Sequence, residues 1–179
     1  MEVVFAVGIF GLCGLGIASA FLQSRRIAES NVFETTALTV AQGFLEQIKA
    51  MDYAVIEAAV ADPTNNKLPT LGIAHDGLGG TNVVPEPIAV GQKNAVGIFE
   101  GTTHRGILID LQRDKFGKAT IPRYMKMWVT PTLTDLLAIE NRRCIEVSLL
   151  FEWEARDLAG NAVPRQRTVR IVSSNVPTY

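Results

Sequence analysis

The chain has 179 residues with 17 basic and 18 acidic side chains, a formal net charge of −1, so no global field draws it toward nucleic acid. Its length allows one domain plus an anchor, and its two cysteines, Cys13 and Cys144, form no CxxCH haem motif and no CxxC zinc site. No low-complexity tract, internal repeat or block of like charge marks it as disordered or as a solenoid.

In chain order, residues 3–22 form an uncharged apolar run broken only by glycines and other small residues, and Glu2 sits directly before it. About 20 apolar residues are what an α-helix needs to cross a bilayer core. A charge carried to the centre of that core costs about 2.5–3.5 kcal/mol on insertion scales. A plain signal anchor, with Glu2 resting among the headgroups, is the simplest reading of the pair. A secretory signal peptide fits less well, since no basic segment leads the run and the run is long for one. Gly8, Gly11, Gly14 and Gly16, with Ala18, Ser19 and Ala20, crowd the segment with small residues that let membrane helices pack closely. Each interior glycine also weakens the helix by up to about 1 kcal/mol relative to alanine, which makes Gly11, Gly14 and Gly16 candidate positions for unwinding.

Gln23, Ser24, Arg25 and Arg26 mark an interface, but no turn signal follows: residues 27–51 contain no proline and a single glycine, Gly43. Apolar residues recur at Ala37, Ala41, Phe44, Ile48 and Met51 in steps of four and three, widened by Leu38 and Leu45, which is helical spacing. Glu34, Thr35, Gln42, Glu46, Gln47 and Lys49 fill the opposite positions. The run therefore continues out of the membrane as an amphipathic rod. A helix of about 50 residues is on the order of 75 Å long, too long for the core of a soluble domain of this size.

Taken together, Glu2, the unbroken apolar run and the amphipathic helix behind it, residues 1–53 in all, resemble the N-terminal helix of type IV pilins and type II secretion pseudopilins. The resemblance implies a leader removed by a dedicated prepilin peptidase, lateral packing of helices into a filament core, and an outward globular head. It also implies that Glu2 meets the N-terminal amine of a neighbouring subunit during assembly, and that residues 11–16 lie where family members lose helix inside the filament. Departures stand beside it. Met1 alone precedes Glu2, where the family carries a glycine at the cleavage point and a short apolar stretch usually led by phenylalanine, so the methylated N-terminal residue is not assigned. The proline that many members carry near the membrane exit is absent, which leaves the glycines as the candidates for melting. The C-terminal disulfide of many pilins is not expected either. Cys13 lies inside the apolar run, Cys144 opens a strand-like segment, and a disulfide needs its two Cα atoms within about 7 Å.

Beyond Tyr53 the composition changes. Residues 57–61 prolong the helix by a turn or two, and Pro63 with Thr64, Asn65 and Asn66 stops it. Residues 63–101 are dense in glycine and proline and read as a long connection with short strands at 82–84 and 94–100. The Gly77, Gly79, Gly80 stretch lacks the GK[ST] and the strand-to-helix setting of a phosphate loop. His75 beside Asp76, like His104 beside Arg105, falls short of the three or four convergent groups of a zinc site. Residues 106–111 suit a short strand and 112–118 a charged turn.

The last third alternates. Ile145, Val147, Leu149, Phe151 and Trp153 share one face of residues 144–154, with Glu146, Ser148, Glu152 and Glu154 on the other, as in a half-buried antiparallel strand. Residues 124–130 alternate likewise through Met125, Met127 and Val129, and residues 165–172 through Val169 and Ile171. Asp157 to Asn161, with Gly160, supplies a hairpin signal between the last two strands, across which Arg167 and Arg170 are expected to pair with Glu152 and Glu154. Asp157 and Asn161 are too few for calcium, which takes six to eight ligands.

The stripe Ala37, Ala41, Phe44, Ile48, Met51 then lies across Ile145, Val147, Leu149, Phe151 and Trp153. The expected fold is α+β: a long N-terminal α-helix packed on a C-terminal antiparallel β-sheet, pilin-like. Its expected parts are an apolar transmembrane or filament-core helix at 1–26, an amphipathic helix at 27–62, a variable connection at 63–123 and the sheet of the head at 124–179. Nothing assembles a nucleophile, base and oxyanion site, so the chain is expected to be structural, without a catalytic residue, metal or cofactor. The expected function is that of a bacterial type IV pilus-like filament subunit, a homopolymer. It would pass through the inner membrane as a single-pass precursor, meet the prepilin peptidase and pilus assembly machinery, and end at the cell surface. A type II secretion pseudopilin or minor tip pilin is the alternative within the resemblance, and a membrane-tethered periplasmic binding domain or enzyme the alternative outside it.

Overall fold

Helix α1, Glu2–Lys49, runs for 48 residues in the computed structural model, about 72 Å at the usual rise. The structure describes residues 2–62, 67–69, 87–100, 103–113, 119–136, 144–156 and 161–174. The expected strand at 82–84, the glycine stretch at 77–80, the His75–Asp76 pair and the turn at 157–160 lie outside the described residues.

The expected helix at 27–62 is divided. Lys49 ends α1, the chain bends through Ala50, Met51 and Asp52, and a second helix, α2, spans Tyr53–Ala61. Asp52 stands at its N-cap position with extended dihedrals, φ −62 and ψ 139, and its carbonyl accepts from Val55 N at 3.0 Å. Neither glycine nor proline marks this break. Its one local sign is an aspartate, a residue type favoured at N-caps. The bend lets α2 turn Ile56 and Ala59 into the core, which a straight rod would carry past the sheet.

Strands β1 (Lys67–Leu68) and β2 (Ile88–Ala89) form a small antiparallel pair. Strands β3 (Asn94–Val96), β7 (Met127–Asp135), β8 (Cys144–Arg156) and β9 (Ala162–Ser174) form an antiparallel sheet in the order β3-β7-β8-β9. Strands β4 (Ile98–Glu100), β5 (Thr103–Arg113) and β6 (Ala119–Met125) form another, in the order β4-β5-β6. The chain thus has the α+β, pilin-like arrangement of a long N-terminal helix followed by antiparallel sheets.

Two segments expected as single strands are shared between those sheets. Residues 94–100 divide at Gly97, and residues 124–130 divide at Lys126. Gly97 has φ 111 and Gly106 has φ 96. A Cβ on Gly97 would run into the Gly106 carbonyl, and one on Gly106 into the Met125 carbonyl. This seam therefore needs glycine for both its dihedrals and its close backbone approach. Met125, Met127 and Val129 are all fully buried across it, so alternation continues while the hydrogen-bonding partner changes from β5 to β8. Periodicity reports which face a residue uses, and the switch of partner leaves no trace in it. Residues 112 and 113, expected in a turn, extend β5.

Pro131 is buried in the middle of β7, opposite Leu149. Strand β3 pairs only with residues 127–129 of β7. Pro131 lies past that pairing, its carbonyl accepting from Gly91 N at 2.8 Å, so the N–H it lacks has no strand partner to lose. The core lies between α1, α2 and the helix-facing side of the sheets, with Met125 of β6 and Met127, Val129, Ile145, Val147, Leu149, Phe151 and Trp153 of β7 and β8 buried there.

The hairpin ion pairs differ from expectation. The β8–β9 register sets Arg167 opposite Phe151 and Arg170 opposite Ser148. Arg170 pairs with Glu146 at 3.5 Å, and Glu152 pairs with Lys93 at 2.9 Å. Register follows the apolar face: Val169 and Ile171 must sit beside Leu149 and Val147, which carries Arg167 to the helix side, away from the glutamates.

Candidate assembly helix

The helix α1 changes character partway along. Val3, Phe5, Phe10 and Phe21 are 75%, 72%, 83% and 79% exposed, and their large apolar neighbours between residues 3 and 22 are exposed with them. These positions cover every side of the helix, as expected of a segment surrounded by lipid or by other helices. An 18-residue window here has a mean hydropathy of 2.2, with no part of it buried, which makes α1 long and apolar enough to cross a membrane.

Cover begins at the next turns. Glu29 and Ser30 are half-buried and Phe33 is the first buried residue. Glu29 lies 3.5 Å from Arg25 in its own helix and 3.6 Å from Arg123 on β6, so one carboxylate joins the helix to the head just past the apolar run. Such partly exposed pairs contribute about 0–1 kcal/mol each; what this one marks is where the head meets α1.

From there the helix buries a stripe. Ala37, Ala41, Phe44 and Ile48 are buried and Met51 is half-buried. The Phe44 ring lies 6.2 Å from that of Phe151, tilted by 51°. Ile145, Val147, Leu149, Phe151 and Trp153 supply the facing side from β8. Phe33 belongs to the same stripe, one turn before Ala37; its i, i+4 spacing to Ala37 was the signal that could have found it.

The remaining site residues take these places. Glu2 is the first residue of α1, and its side chain lies outside the described residues. Gly11, Gly14 and Gly16 are helical, with open space where a Cβ would stand. Cys13 is exposed in the run, Cys144 is half-buried on β8, and both are free thiols. His104 is held by structure: its Nε2 lies 2.9 Å from the Val96 carbonyl, and its ring sits 5.2 Å from Phe99 and 5.5 Å from Trp128. Among the described residues no group of three or more His, Cys, Asp or Glu side chains is placed to hold a metal.

The chain is thus an α+β protein that carries a membrane-length helix at the N-terminal end of its described residues and packs the rest of that helix on a sheet. Comparisons with protein-family models, with curated proteins and with solved structures find no match.

Proposed function

We propose that this chain is the structural subunit of a type IV pilin-like filament and polymerises through the N-terminal half of α1. The observation that supports it most is one continuous helix with two surfaces: apolar and uncovered on every side over residues 3–22, then striped and packed on an antiparallel sheet. Before assembly the uncovered half sits in a membrane. In the filament the same half packs against its copies, where Gly11, Gly14 and Ala18, at i, i+3 and i+7, give one face on which backbones approach closely. Glu2 precedes that surface and is the assembly contact.

Substitution of Glu2 separates assembly from anchoring. In cells that carry the assembly machinery, Glu2→Ala is expected to leave the chain in the membrane fraction while the yield of sheared filaments falls at least tenfold. Normal filament yield from this variant would overturn the role of Glu2. Were the wild-type chain itself to stay monomeric in the membrane, a tethered domain would replace the filament reading.

A further inference from the structure

Between the first covered turns of α1 and the β8–β9 hairpin lies a polar cavity of about 160 Å3, lined by Ser30, Glu34, Trp153, Arg165, Gln166 and Arg167. Trp153 is 5% exposed, and among the described residues its indole Nε1 is the buried side-chain polar atom without a hydrogen-bond partner. A buried donor without an acceptor costs about 1–3 kcal/mol, and such a group in a native fold calls for an explanation in function or in an acceptor supplied from outside.

Among the described residues the charged groups around it are also without ion-pair partners. The register sets Arg165 opposite Trp153 and Arg167 opposite Phe151, so both arginines rise on the helix-facing side of β9, next to the apolar Val169 and Ile171. Among the described residues neither arginine nor Glu34 has an ion-pair partner. Among the described residues two arginines and the Ser30 hydroxyl therefore line one small space with a single carboxylate, and the Trp153 indole is buried against it.

We infer that this cavity binds a phosphate-type oxyanion. Arginine forks match the spacing of phosphate oxygens and hold them by paired, charge-assisted hydrogen bonds. The cavity has room for about five water molecules at the share each takes in the liquid, which suits one tetrahedral oxyanion. Among the described lining residues two cations stand against one carboxylate, a positive balance for an anion. Ser30 follows Arg26 by four residues, about 6 Å along the helix axis. The same oxygens can therefore come from free phosphate or from a phospholipid headgroup at the membrane exit. The inference is independent of the assembly reading, since no filament is needed to bind the anion.

Trp153 reports on the site. The chain has two tryptophans, so Trp128→Phe leaves Trp153 as the sole emitter. The full chain, in neutral detergent, is titrated with inorganic phosphate against chloride at constant ionic strength. A saturable change in emission is expected. Replacing both arginines, Arg165→Gln with Arg167→Gln, weakens the apparent affinity about tenfold or more, whereas Glu34→Gln strengthens it about threefold. The opposite signs exclude general loss of structure as the cause, and an unchanged melting temperature checks this separately. Absence of a saturable response, or a response that neither variant alters, overturns the site. Nanodiscs of phosphatidylcholine with and without phosphatidylglycerol distinguish the sources. An emission already shifted by phosphatidylglycerol and deaf to added phosphate assigns the site to the headgroup. An equal phosphate response in both membranes assigns it to the free anion, and either result supports the site.

Discussion

Over residues 3–22 helix α1 is apolar on every side and exposed, whereas over residues 33–48 it carries one apolar stripe, which is covered by the sheet. The backbone is the same α-helix throughout. What differs is the medium each half is built for. A one-sided stripe suits water on one side and a protein core on the other; an all-round apolar surface suits a medium without water. The uncovered half is therefore incomplete alone, since burial is worth about 25 cal/mol per Å2 of apolar surface and that half has none within its own chain.

The largest test of the contrast is Glu2→Ala, which should remove filaments while leaving the membrane fraction and the head intact; electron microscopy of sheared material reads it. Next comes the same substitution made in each half. Phe44→Ala, against the Phe151 ring, should destabilise the head by about 3–5 kcal/mol. Phe10→Ala, 83% exposed, should leave head unfolding within about 0.5 kcal/mol; thermal unfolding in detergent measures both. Equal effects would mean that the apolar half packs on the head after all. Gly106→Ala should cost about 1–3 kcal/mol from the dihedral alone, with the clash against Met125 added, and would show how firmly the seam between sheets holds the face that covers α1. The smallest effect belongs to the boundary between the halves. Glu29→Gln, which weakens the contacts to Arg25 and Arg123, should lower stability by about 0–1 kcal/mol, and the loss should shrink as salt is raised.

Much of the head could be read from pattern. The alternation of residues 145–153 and the three-and-four spacing of residues 37–48 each report a face, and those faces meet in the core. What pattern missed has one cause in several places. The division at Gly97 and Lys126, the bend at Asp52 and the pairing of Arg170 with Glu146 all depend on which neighbour an element finds, and a period carries no information on neighbours. Strand β3 is three residues long, too short for any period to show. The cavity at Trp153 was hidden for the same reason: residues 153, 165 and 167 belong to one strong alternation, and only the register of β9 against β8, with α1 crossing above, brings two arginines beside a buried indole.

The amino-acid sequence by itself determined that a helix of membrane length leads into an amphipathic helix and then into alternating strands, because apolar periodicity is a local property of each segment's own residues. Tertiary structure alone decided where the helix ends and α2 turns inward, which residues divide the strands between sheets, and which charges meet. Those outcomes are settled by contacts between segments far apart in the chain, where burying Met125, Met127 and Phe151 together outweighs any local preference for a straight rod or an undivided strand.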